Sequence, residues 1–200
     1  MIDKALDFIC KQLNSYLLTK LVPAPQDDNA IVLSNVSQLN ETQPNSGGDD
    51  KDPQNAFLSL INIEEDRISK SPENFVRAFD GSVTYKNPKI FLNLYILFSV
   101  NLSSYSESLK RLSYIMQFFQ YQNVFNPLNS PSIPAGIDEL VIDLMTLSYQ
   151  DLNNLWGILG SRYLPSVMYK VRMININEDF AYGDAGLIQK ITINSKSLQQ

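Results

Sequence analysis

Apolar residues recur every three or four positions at the start of the chain. Ile2, Ala5, Leu6, Ile9, Leu13, Tyr16 and Leu17 share one stripe, which predicts a helix from Ile2 to Val22. Pro23 and Pro25 stop it, because proline has no amide hydrogen for a further turn. Ala30 to Val36 reads as a short strand. From Ser37 to Gln54 the chain is poor in apolar side chains and rich in Gly, Pro, Asn and Asp, the composition of an insertion outside the core.

The pattern then changes to period two. Phe57 to Ile63 reads as a strand, followed by a long polar connection with a hairpin tip at Asp80-Gly81. Ile90 to Asn101 is the strongest strand. Ile90, Leu92, Leu94, Ile96, Phe98 and Val100 alternate on one face, while Phe91, Tyr95 and Leu97 mix with Asn93 and Ser99 on the other. Such a strand has one face in the core and the other at least partly covered.

Ser104 and Glu107 have the spacing of a capping box and open a second helix that runs to about Tyr121. Leu109, Leu112, Met116 and Phe119 are its expected core stripe. A Pro-rich loop leads to a strand from about Glu139 to Tyr149. Ser148 and Asp151 start a short third helix that presents Leu152, Leu155, Trp156 and Leu159 on one face, with Gly160 as its left-handed stop. Val167 to Ile176 is the last strand. Val167, Tyr169, Val171 and Met173 form one of its faces and Met168, Lys170, Arg172 and Ile174 the other. The order of elements predicts an α+β fold, with a mixed, mainly antiparallel sheet and helices packed on it. The domain is expected over residues 1–176 with the insertion at 37–54, followed by a polar extension over 177–200.

Composition narrows the function. A net charge of -5 argues against a phosphate-backbone footprint, so no nucleic-acid partner is expected. The chain has no histidine and one cysteine, which removes Ser-His-Asp and Cys-His catalysis, His-ligated metals and a zinc cluster. No glycine-rich phosphate loop occurs. Asp49, Asp50 and Asp52, like Glu64, Glu65 and Asp66, read as solvated acidic loops, and Cys10 as a buried inert thiol. The expectation is therefore no catalytic residue, no cofactor and no metal. Acidic residues at Asp3 and Asp7 break a secretory leader, and no apolar run reaches membrane-spanning length, so synthesis in the cytoplasm without membrane insertion is expected.

What stands out is surface. Tyr114, Phe118 and Tyr121 fall at i, i+4 and i+7, away from the Leu109-Leu112-Met116 stripe, and a helix apolar on two faces must bury both. Phe8 and Leu18 repeat this on the first helix. In the extension, Leu187, Ile188, Ile191 and Ile193 make a β-prone patch too small for a core, in which Ile191 and Ile193 point the same way. These residues are candidates for a subunit or partner interface. Trp156 is expected to pack its helix onto the sheet rather than to meet a ligand.

The blocks MIDKALDFICKQLNSYL, LSLINIEEDR, NPKIFLNLYILFSVN, IMQFFQ and LVIDLMTLSYQDLNNLWGILGSRYLPSVMYKVRMI resemble, in order and spacing, the cap or tail-terminator family of phage-tail-like contractile injection systems of the antifeeding-prophage type. The resemblance spans Met1 to Ile176 and names no catalytic residue. It implies a tail-terminator-like α+β fold. It also implies a homo-hexameric ring at the distal end of the inner tube and sheath, where it couples the two and stops their growth, in a particle that can leave the cell. Two other readings remain at this level: a small carboxylate- or metal-dependent enzyme, and a monomeric binding module or chaperone for a secreted partner.

Overall fold

The computed structural model describes residues 1–21, 29–37, 55–66, 75–77, 83–86, 90–176 and 181–185, with the backbone alone at 75–77, 83–86, 173–176 and 181–185. Helix α1 spans Ile2–Lys20, α2 Tyr105–Tyr121 and α3 Tyr149–Leu159. The strands are β1 Ile31–Leu33, β2 Asn55–Glu65, β3 Phe75–Arg77, β4 Val83–Lys86, β5 Ile90–Asn101, β6 Val124–Phe125, β7 Glu139–Met145, β8 Ser166–Ile176 and β9 Ala181–Ala185. The insertion from 38 to 54, the Asp80-Gly81 tip and the Ile191-Ile193 patch lie outside the described residues.

Six strands make one sheet in the order β1-β2-β5-β8-β7-β6. All its pairs are antiparallel except β1 with β2. β5 sits third in this sheet and is covered on both faces, which is why its twelve residues are nearly continuous in apolar character. One face meets α1 and α2. There Leu94, Ile96, Phe98 and Val100 join Leu6, Ile9, Leu13 and Leu17 of α1 and Ile115, Phe118 and Phe119 of α2 in one core. The other face meets α3, where Leu97 packs with Phe57, Met168, Leu155 and Trp156. The β8 faces separate as the alternation predicts, with Tyr169 and Val171 in the first cluster and Met168 in the second.

The helix ends follow their caps. Ser104 Oγ accepts from the Glu107 amide at 3.4 Å and Ser148 Oγ from the Asp151 amide at 3.1 Å. Gly160 stops α3 at φ +62°, a conformation that costs a side-chain-bearing residue more than glycine. The strand expected to run to Tyr149 ends at Met145 instead, because the α3 cap claims Ser148 and Tyr149 opens the helix.

A second sheet, β3-β4-β9, was not expected beyond its hairpin. Its pairings are antiparallel: β3 with β4, from Phe75 opposite Tyr85 to Arg77 opposite Val83, and β4 with β9, from Lys86 opposite Ala181 to Val83 opposite Ala185. Beyond Ile176, Ala181–Ala185 pairs with β4 as β9.

Candidate functional site

On α2 the expected core stripe is only partly inside: Phe119 is buried and Leu112 half-buried as expected, but its other two members are not. Ser108, Ile115, Phe118 and Phe119 are the buried residues, while Leu109 and Met116 of the expected core stripe are exposed. Phe118 sits among Tyr16, Phe119 and Phe125, with ring centroids 5.2 to 6.1 Å apart. Phe8 is likewise consumed inside, packed edge-on against Phe125 at 5.7 Å. Two residues offered for an interface are thus core residues. Periodicity shows that both faces of α2 are apolar but not which one the chain covers. The larger aromatic rings take the space between α1 and β5.

The other candidates lie elsewhere. Tyr114 is half-buried against the first cluster, Leu18 is half-buried, and Tyr121 is 85% exposed. The face of α2 left open carries Tyr105, Leu109, Leu112 and Met116, spaced i, i+4, i+7 and i+11, of which only Leu112 is partly buried. Leu109, Leu112 and Met116 belong to the stripe that the sequence pattern assigned to the core.

The open face leads into a groove of about 600 Å³ between the second half of α2 and β7. Met116, Gln117, Phe119 and Gln120 line one wall and Ile142, Asp143 and Leu144 the other, with Tyr169 and Asn123 between them. Arg172 holds Asp143 in an ion pair at 3.0 Å, and both side chains are about half exposed. Tyr169 is buried enough that its phenol is pushed up to about 12. The groove is apolar with amide groups at its rim, which suits a docking polypeptide better than bond-making chemistry. Among the described residues no three His, Cys, Asp or Glu side chains come together as a metal site would require. None of the described helices is long and apolar enough to cross a membrane.

Two part-buried polar arrangements serve the fold. The Asn14 amide clamps β1 to α1, donating to the Ile31 carbonyl at 2.9 Å and accepting from its N–H at 2.8 Å. Arg111 donates to the Ala30 carbonyl at 3.1 Å and to Asn55 Oδ1 at 3.2 Å, and burial lowers its pKa. Trp156 packs under α3 with Tyr163 edge-on at 5.7 Å, as its expected packing role requires.

A family model, the Pvc16 N-terminal domain, matches residues 7–190, nearly the whole chain and both sheets. The chain belongs to the Pvc16 N-terminal domain family. No curated protein matches it. Among solved structures, this Pvc16-type domain is similar to the sheath/tube terminator of an extracellular contractile injection system, PVC, in its extended state. That match has 17% identity and a TM-score of 0.56 over all of this chain and 64% of the other. It is also similar to the tube-terminating cap of the anti-feeding prophage, with 13% identity and a TM-score of 0.60 over 97% of this chain and 60% of the other. At such identities the likeness establishes the terminator fold. The Pvc16-type chain spans less than two thirds of the length of either neighbour.

Proposed function

We propose that this protein is a structural cap of a contractile injection system, a homo-hexameric ring that ends the inner tube and sheath and couples them. The observation that carries this reading is the terminator fold, found together with membership of the Pvc16 N-terminal domain family. The surface agrees with it. An apolar α2 face and the groove beside it are left uncovered by the described chain, and a heterologous contact closes into a ring when its rotation permits. The cap acts by occupying the last layer and offering no further surface for tube or sheath subunits to add to. Its partners are then its own copies and the tube and sheath proteins, in a particle assembled in the cytoplasm and released. The Ile191-Ile193 segment contributes by adding to a neighbour's sheet edge, where main-chain hydrogen bonds give affinity.

The reading is tested on particles made with and without this chain. With it, electron microscopy is expected to find uniform tube and sheath lengths and a six-fold density at the end away from the baseplate. Uniform lengths without the chain would overturn the cap reading.

A further inference from the structure

Helix α3 has an inner side and a bare one. Leu155 and Trp156 pack on Leu97, Phe57 and Met168. Asp151, Asn154 and Ile158 turn away from them at i, i+3 and i+7, and all three are exposed, Ile158 to 84%. Gly157 lies beside this stripe in ordinary helical backbone. Nothing in the chain comes within 4 Å of the point where its side chain would begin. A glycine inside a helix weakens it relative to alanine, and here the chain gains no packing in return. What a missing side chain does allow is the close approach of another backbone.

We propose, resting on the ring reading, that this side of α3 packs on the open α2 face and groove of a second copy. The two surfaces cannot meet within one chain. α3 lies against the sheet face of Leu97 and Met168, and α2 against the face of Leu94, Ile96 and Phe98, so the sheet stands between them. Two unlike surfaces on opposite faces of one chain make a head-to-tail contact, the kind that closes into a ring.

The surfaces match in chemistry. α2 presents Leu109 and Met116 with Gln117 and Gln120 at the groove, and α3 presents Ile158 with Gln150 and Asn154. Apolar side chains then meet apolar ones and amides meet amides. Charge is complementary as well. Asp151 is the single charged side chain of α3, and Lys110 is exposed on α2 beside Leu109. Among the described residues neither enters an ion pair. The spacings agree. Lys110 to Met116 is six residues along α2, about 9 Å, and Asp151 to Ile158 is seven along α3, about 10.5 Å. With the helices parallel, Asp151 meets Lys110 while Ile158 enters the groove beside Met116. Gly157 lets the two backbones close to the short end of interhelical distances.

The test mixes two full-length proteins, one with Met116→Cys and one with Ile158→Cys, under mild oxidation as they assemble. Cys10 is buried and stays out of the exchange. A disulfide-linked heterodimer is expected. Linkage of the Ile158→Cys protein only to itself would mean a two-fold contact and overturn the pairing. Gly157→Leu is expected to keep or raise the melting temperature, since leucine is the better helix former and has open space, yet to weaken self-association roughly tenfold or more by holding the helices apart. Lys110→Gln is expected to weaken self-association about two- to fivefold, and to add nothing once Asp151→Asn is present. If the unsubstituted protein forms rings but these thiols do not join, or if Gly157→Leu assembles as well as its parent, the α3 assignment falls. If the unsubstituted protein forms no ring at a particle end, the ring reading falls with it.

Discussion

Phe118 and Tyr121 stand three residues apart on one helix and meet opposite surroundings. Phe118 is 6% exposed among three aromatic rings and Tyr121 is 85% exposed. Phe118→Ala is expected to cost about 3 to 5 kcal/mol, the range for a buried ring whose cavity does not collapse. Tyr121→Ala should stay within about 0.5 kcal/mol. Urea midpoints of the two variants distinguish them, and equal midpoints would reverse the assignment of the α2 faces. Tyr169 makes a second residue-level prediction. Burial raises its phenol from 10.0 to about 12, and burial with Asp7 nearby raises the Cys10 thiol from 9.0 to about 12. Both groups are neutral when protonated. A raised folded pKa therefore contributes stability that is full below the ordinary value and is lost as pH climbs through the raised one. Melting temperature is expected to fall between pH 9 and 12, and less steeply in Tyr169→Phe.

At the scale of elements, α3 is the clearest case of local determination. Its start is the Ser148 cap, its stop is Gly160 at φ +62°, and its inner face is Leu155 and Trp156. Ser148→Ala is expected to cost about 1 kcal/mol, the usual loss when a capping oxygen is removed. Gly160→Ala should also destabilise, through backbone strain, since open space surrounds the position and no clash arises. Both are read from denaturant unfolding. α2 is the contrary case. Its exposed Met116 lines the groove and exposed Leu109 shares that face of the helix, so Leu109→Asp with Met116→Asp is expected to keep the melting temperature within a few degrees while lowering ring assembly. Unchanged sedimentation of the assembled ring would clear this face of any role.

For the whole molecule, the described residues of the two core clusters all precede Ile176. A chain truncated after Ile176 loses β9 from the small sheet and no described residue of either cluster. It is expected to fold with a melting temperature within a few degrees of the full chain, and to leave tube and sheath ends unsealed, so that particle lengths vary. Loss of cooperative unfolding on truncation would show that the segment after Ile176 supports the domain. The same logic applies to the insertion: replacing 38–54 with a short Gly-Ser linker should change the melting temperature by a few degrees only, because closing a longer surface loop costs little.

Local signals alone determined a good part of this protein. The period-two run of β5, the capping serines of α2 and α3, the glycine stop and the faces of β8 each depend on residues within one or two turns of one another, so they were legible without a fold. The absence of histidine bounded the chemistry in the same way. Tertiary structure alone decided which apolar face of α2 is inside, because both faces satisfy the same periodicity and only α1, β5 and Phe125 select Phe118 over Leu109. It also decided the small sheet, since β9 has too little apolar character to announce itself and is a strand through its pairing with β4.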